Sequence, residues 1–381
     1  METKKPKRRV LELVGSFDQG GSERQALHLS QALRDEGSFD VYISCLNRSG
    51  SLLDEFRWLD EASIPEFKLT SFYNFNFLKQ VRRCADYMKS NRIELVHTHD
   101  FYTNVFGMAA GALAGVKVRI ASKRETGMRS EAQRFVENRT FNLAHAILAN
   151  SDAVKNYLLK SGLASHKIAT IYNGLEFARV KPSETDRGTI LRELDLAPER
   201  NARFVTIVAN LRSRVKNHQM FLRAAHVVSE NVENVNFIIA GEGELLTETK
   251  EFARSLGIAE RTFFLGRCTK IAELLSITDV CVLSSESEGF SNSILEYMAA
   301  ARPVVATAVG GASEAVADNV SGFLVASNDH SALAQRIVEL LRDPEKAAKM
   351  GNAGRKIVED KFSIDGQFAK VMRLYCRLLD Q

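Results

Sequence analysis

Residues 204–240 read FVTIVANLRSRVKNHQMFLRAAHVVSENVENVNFIIA. An apolar run at 204–209 is followed by a basic loop, a longer amphipathic segment and a second apolar run at 236–240. Strand, helix and strand at that spacing make a βαβ unit, which requires a parallel sheet covered by helices. The alternation continues outward. Downstream, strands are expected at 262–265, 280–283, 303–306 and 322–325. Upstream, they are expected at 10–14, 41–46, 95–99, 118–122, 146–149 and 168–172, with helices between, one of them at about 22–35. The polar run KPSETDRG at 181–188 interrupts the series. The expected architecture is α/β, two consecutive doubly wound Rossmann-like domains at 10–180 and 201–362, with a linker at 181–200. A last apolar helix in 363–381 has no strand after it and is free to pack on either domain, including back on the first. Ligands in such folds sit at the carboxyl ends of the parallel strands, here also in the cleft between the domains.

Charge excludes one class of partner. The chain has 381 residues, 51 of them Lys or Arg and 47 Asp or Glu, a formal net charge of +4. METKKPKRR at 1–9 holds five basic residues and one acid, so the remainder is neutral. The tail is expected to be disordered. A neutral body argues against nucleic acid as a partner, which needs a basic stripe on a folded face. Five cysteines without a CxxC spacing fit neither a disulfide framework nor a zinc ribbon. The start lacks a signal peptide's apolar core, and no stretch is apolar enough to span a bilayer. A cytoplasmic protein is expected.

Four strand-end loops carry the chemistry. The first, GSFDQGGSER at 15–24, brings Gly20, Gly21 and Ser22 to a helix N-terminus, where backbone N–H groups favour an anion. Its spacing is neither a P-loop nor a dinucleotide fingerprint, and a tight turn capped by Ser22 accounts for it equally well. The second is His97-Thr-His99-Asp100, whose histidines fall on one side of a strand. A metal site would need a third ligand, and no H-x-x-x-H or carboxylate partner is spaced for it. The third sets Arg212, Arg214 and Lys216 at a strand end before a helix, an anion clamp or a solvated basic loop. The fourth runs from Ser284 through Glu288, Gly289, Phe290, Ser291 and Asn292 to Glu296, eight residues beyond Glu288. Two acids with free N–H groups between them can hold polyol hydroxyls and a phosphate, although acids are common near helix starts anyway.

The whole pattern resembles the retaining glycosyltransferases of family 4, which have the two-domain GT-B fold. EGFSNSILEYMAAARPVVATAVGG at 288–311 is similar to that family's E-x7-E signature and its Gly-rich turn. GGSERQALHLSQAL at 20–33, LVHTHD at 95–100 and IYNGLE at 171–176 resemble its other motifs in order. The resemblance implies that Glu288 contacts hydroxyls of the transferred sugar and Glu296 the ribose of the nucleotide. It implies donor contacts from Gly289, Phe290, Ser291 and Asn292, and a diphosphate neutralised by Lys216 and an arginine. His99 would lie near the donor sugar, and Gly20 and Gly21 near the donor phosphates or the acceptor. The family's Gly-Arg-Leu reads Ala209-Asn210-Leu211 here, so the arginine role passes to Arg212, with Arg214 in reserve. Glu314 stands where the family often has an acid.

The implied activity is hexosyl transfer from a nucleoside-diphosphate sugar to a glycan, lipid-linked or small-molecule acceptor, by front-face displacement. A growing negative charge on the leaving diphosphate is what pre-placed cations stabilise. No Asp-x-Asp occurs, so neither metal nor other cofactor is expected. A sugar-nucleotide epimerase, a phosphorylase or a non-catalytic nucleotide-sugar-binding scaffold on the same fold are the competing readings. Residues 117–139 carry seven basic and three acidic residues, accompanied by aromatic and apolar patches at 72–77 and 101–116. This combination suits an anionic membrane surface. A solvated helix over core aromatics accounts for the same residues.

Overall fold

The computed structural model describes residues 7–18, 20–72, 74–126, 129–181, 183–197 and 201–381. The chain divides into two compact units, one of Met1–Gly174 with Asp365–Gln381 and one of Leu175–Ile364. In the first, six parallel strands are ordered β2-β1-β3-β4-β5-β6. They are β1 (Arg8–Val14), β2 (Phe39–Cys45), β3 (Leu95–Thr98), β4 (Val118–Lys123), β5 (Ala146–Ala149) and β6 (Ile168–Thr170). In the second, the order is β12-β11-β10-β7-β8-β9. These are β7 (Arg203–Val208), β8 (Val235–Ala240), β9 (Thr262–Gly266), β10 (Val280–Leu283), β11 (Val304–Thr307) and β12 (Gly322–Val325). Every pairing between these strands is parallel.

Each sheet reverses its winding once, between β1 and β3 in the first and between β7 and β10 in the second. Such reversal points open a crevice beyond the strands' carboxyl ends, where neighbouring loops part to opposite faces. Apolar strand residues are buried on both faces, as expected of helix-covered parallel sheets. Val205, Phe237 and Val282 pack with Phe221 and Leu333 on one face of the second sheet. Phe204, Ile238 and Leu274 pack on the other.

Three segments depart from the expected boundaries. Arg8 and Arg9 are not tail: they open β1, paired in register with Phe39 and Asp40. Arg8 also meets Glu94 at 2.9 Å and Asp380 at 3.0 Å. Residues 1–6 lie outside the described residues. Within 181–200, Arg187–Glu193 is a helix, because the Asp186 carboxylate accepts from Thr189 N at its N-terminus and Ile190 is buried beneath it. It belongs to the second unit, and the change of unit falls at Gly174 and Leu175. The C-terminal helix Ile364–Leu379 lies in the first unit. Its Val371, Leu374, Tyr375 and Leu379 join Val10, Leu33, Phe39 and Val118 in one cluster.

Candidate active site

In the second unit the reversal point brings two loops together. After β7 the chain forms a short turn, Arg214–Lys216, and Asn217 follows in the left-handed region at φ 47°. That conformation suits asparagine, whose side chain then accepts from Met220 N and caps the helix His218–Asn231. After β10, Glu286 N donates to Val215 O at 2.8 Å, and Ser284 Oγ donates to Lys216 O at 2.9 Å. The outcome is an ion pair, Lys216 Nζ to Glu288 Oε1 at 2.6 Å, with Ser285 Oγ donating to the same oxygen at 2.7 Å.

The glycine turn after β11 holds this arrangement from the far side. Gly311 N donates to Gly289 O at 2.8 Å. At Gly310, φ is +51° and a Cβ would come within 1.8 Å of Glu288 O, so only glycine fits. Glu314 follows in the helical turn Ala312–Ala315. Ser291 is the N-cap of the helix Asn292–Ala299.

The other expected residues are placed differently from one another. Arg212 pairs with Glu242 at 3.1 Å, and the exposed Arg214 makes a two-pronged pair with Glu248 at 2.7 and 2.8 Å. Of the three loop cations, Lys216 is the one beside Glu288. The Phe290 ring is buried against Phe362, with centroids 5.2 Å apart. Glu296 is buried in its helix and meets Arg179 at 3.4 Å. Sequence reading missed Arg179, which lies far from Glu296 in the chain and in no motif.

In the first unit, the loops after β1 and β3 meet at the corresponding point. Gly20, not Ser22, is the N-cap of the helix Gly21–Glu36, and no side chain caps it. Gln19 lies outside the described residues. Glu23 folds back over Gly20, where an added Cβ would stand 1.9 Å from its Oε2. Burial pushes the Glu23 carboxyl up to about 7. Asp100 caps the helix Phe101–Ala114 in a reciprocal capping box with Thr103.

His97 and His99 do share one side of β3, their ring centroids 4.2 Å apart, but both are buried. The carboxylate that sequence spacing does not supply comes from the neighbouring β1, where Glu12 Oε2 stands beside both rings. His99 Nε2 is 2.6 Å from Glu12 Oε2, and Tyr375 donates to Glu12 Oε1 at 2.8 Å. His97 Nδ1 lies 2.6 Å from the Tyr375 hydroxyl and its Nε2 lies 2.8 Å from Ser122 Oγ. One ligand atom each from Glu12, His97 and His99 falls within 4.8 Å of the others, a spacing able to hold a metal ion. Burial alone would raise the Glu12 carboxyl, but the two histidines outweigh it and hold it below the usual carboxylate range. Burial, helped by His97, lowers His99 to about 3 against the pull of Glu12, so its imidazole is neutral.

Four buried polar atoms here have no hydrogen-bond partner among the described residues: Gln25 Oε1, His99 Nδ1, Arg124 Nε and Asn150 Oδ1. Three of their residues are linked by hydrogen bonds to adjoining positions. Arg124 Nη1 donates to Asn173 Oδ1 at 2.9 Å, Asn150 Nδ2 to Arg124 O at 3.3 Å, and Gln25 Nε2 to Gly174 O at 2.9 Å. Each unsatisfied buried group costs about 1–3 kcal/mol, a cost a bound polar ligand removes.

Residues 19–179 match the family described as Glycosyltransferase Family 4, and residues 195–357 match the family described as Glycosyl transferases group 1. The chain is a family 4 glycosyltransferase. Among relatives of this glycosyltransferase is the UDP-Gal:alpha-D-GlcNAc-diphosphoundecaprenol alpha-1,3-galactosyltransferase of Escherichia coli, 27% identical over 93% of each chain. A Bacillus subtilis relative is 37% identical, but over only 37% of either chain. Among solved structures, Anabaena HepE in complex with UDP and glucose superposes with a TM-score of 0.85. It is 22% identical and covers 96% of this chain and 99% of that one. With the two six-stranded parallel sheets, this likeness establishes the α/β GT-B fold of the glycosyltransferase.

Proposed function

We propose that the enzyme transfers a hexosyl group from a nucleoside-diphosphate sugar to a hydroxyl of a glycan or lipid-linked acceptor, with retention of configuration and without a metal. The observation that carries this reading is the Lys216–Glu288 pair at 2.6 Å, formed where the second sheet reverses. Lys216 can turn from Glu288 towards a leaving diphosphate while Glu288 takes hydroxyls of the sugar. The N-terminus of the helix Asn292–Ala299, with Gly289, Ser291 and Asn292, adds partial positive charge to the same place. As the bond to the leaving group lengthens, its charge grows, and fixed cations and N–H groups stabilise that state more than the ground state. The leaving phosphate oxygen takes the acceptor's proton, so no protein nucleophile is required.

Glu296, buried and oriented by Arg179, suits the two hydroxyls of a ribose. Arg212 or Arg214 reaches the diphosphate by giving up Glu242 or Glu248, exposed pairs that are worth little. Glu314, beside the glycine turn, completes the donor contacts. In the first unit, Gly20, Gly21, Ser22 and His99 serve donor phosphate, sugar or acceptor. UDP is the nucleotide to test first, because HepE binds it and the E. coli relative is named for UDP-Gal.

That relative's lipid-linked acceptor favours action at the inner face of a membrane. No helix among the described residues is long and apolar enough to cross one. The neighbouring helices Phe75–Ser90, Phe101–Ala114 and Glu131–Leu143 nonetheless expose Phe75, Leu78, Tyr102, Phe135 and Val136. Lys79, Arg82, Arg134 and Arg139 stand exposed among them, a pattern suited to anionic lipid.

The test is turnover of UDP-, GDP- and ADP-sugars, read as slow donor hydrolysis and as transfer. Glu288→Ala and Lys216→Ala are each expected to lower turnover at least about 100-fold with unchanged circular dichroism. Full turnover in either variant would overturn the site assignment.

A further inference from the structure

We infer that Glu12 and Tyr375 are positioning residues that lock His99 with its proton on Nε2 and leave Nδ1 as a hydrogen-bond acceptor for a substrate hydroxyl. The inference rests on the reading of His99 as a site residue and deepens it. An ionised carboxylate only accepts hydrogen bonds. The 2.6 Å contact between His99 Nε2 and Glu12 Oε2 therefore carries the imidazole's hydrogen on Nε2. The neutral ring has one hydrogen, so Nδ1 presents a lone pair, and it is buried with no partner among the described residues.

The rest of the network fixes the carboxylate that fixes the ring. Tyr375 donates to Glu12 Oε1 at 2.8 Å, so its hydroxyl hydrogen is committed. Its oxygen must then accept from His97 Nδ1 at 2.6 Å. The other ring nitrogen of His97, Nε2, is held by Ser122 Oγ at 2.8 Å. The hydrogens running from His97 Nδ1 through Tyr375 to Glu12, and from His99 Nε2 to Glu12, thus each have one direction, set by the single acceptor-only group. Glu12, Tyr375, His97, His99 and Ser122 are each at most 2% exposed, which keeps competing water away. Tyr375 arrives from the last helix, so the end of the chain completes a site whose other members lie on β1, β3 and β4.

Nitrogen-15 NMR of the histidine side chains in the full chain reads this without any substrate. The expected spectrum shows His99 with protonated Nε2 and bare Nδ1 from pH 5 to 8. Tyr375→Phe keeps the ring but removes the hydroxyl. It is expected to mix the His99 tautomers and to lower kcat about tenfold with little change in donor KM. Glu12→Gln is expected to do the same, and Tyr375→Phe stands alone if that variant does not fold. A wild-type His99 protonated on Nδ1 overturns the inference, as does a Tyr375→Phe chain with both the His99 signals and kcat unchanged. Full transfer by His99→Ala overturns instead the reading of His99 as a site residue, and the tautomer result still decides the Glu12 and Tyr375 assignment.

Discussion

At the scale of single residues, the loop that carries Glu288 depends on one glycine as much as on its charges. Gly310 sits at positive φ with its α-carbon against the Glu288 carbonyl. Gly310→Ala would combine a left-handed strain cost of about 1 kcal/mol with a backbone collision that must displace Glu288. The expected outcome is a modest fall in melting temperature and a large loss of turnover. A variant that keeps wild-type kcat would show that Glu288's backbone need not be held there. Glu288, Glu296 and Lys216 were legible in the sequence because their spacing follows one strand-loop-helix unit each. Glu12 and Arg179 were not. Glu12 reads as one acid within the apolar run RRVLELV, and its meaning comes from β3 lying beside β1.

At the scale of elements, the C-terminal helix is part of the first unit's core as well as of its polar network. Leu374 and Leu379 are buried among residues of β1, β3, β4 and the helix Gly21–Glu36. Leu374→Ala should cost about 2–5 kcal/mol, the usual cost of a buried cavity, read as a lower urea midpoint with unchanged slope. A change under about 0.5 kcal/mol would mean that the helix is not docked as described. The helices that expose Phe75 and Phe135 give a second element-scale prediction. The chain should co-sediment with phosphatidylglycerol vesicles at low salt, and Phe75→Ser with Phe135→Ser should weaken that at least about tenfold. Equal binding by wild type and double variant would remove the proposed membrane face. The alternation of strands and helices implies helical stretches here, but not which apolar side chains remain uncovered, since that depends on neighbouring helices.

For the molecule as a whole, pH acts through buried histidines. His218 lies beneath the second sheet's cation loop, where burial above all lowers it to about 4. A base whose folded pKa is depressed binds its proton more readily when unfolded. Stability is therefore lost as pH falls from about 6.5 towards 4, at about 1.4 kcal/mol per pH unit for that proton. His99 adds a loss of the same sign extending to about 3. Glu23, raised to about 7, opposes both, because its protonated form favours the fold between about 4.5 and 7. His218→Gln removes one of the two histidine contributions. Its melting temperature should fall less than that of wild type between pH 6.5 and 4.5, and equal falls would contradict the assignment.

By itself, the sequence determined the alternation of strands and helices and the family to which the chain belongs, and it brought forward Lys216, Glu288 and Glu296 as candidate site residues. Each of these is written in contiguous stretches, where periodicity and spacing act through local backbone geometry. Tertiary structure decided the order of the strands, the partners Glu12, Arg179 and Tyr375, and the seating of the last helix. Those depend on which strands become neighbours in a sheet and on which apolar faces bury one another. Such long-range choices minimise exposed apolar surface over a whole unit, and no local stretch of residues records them.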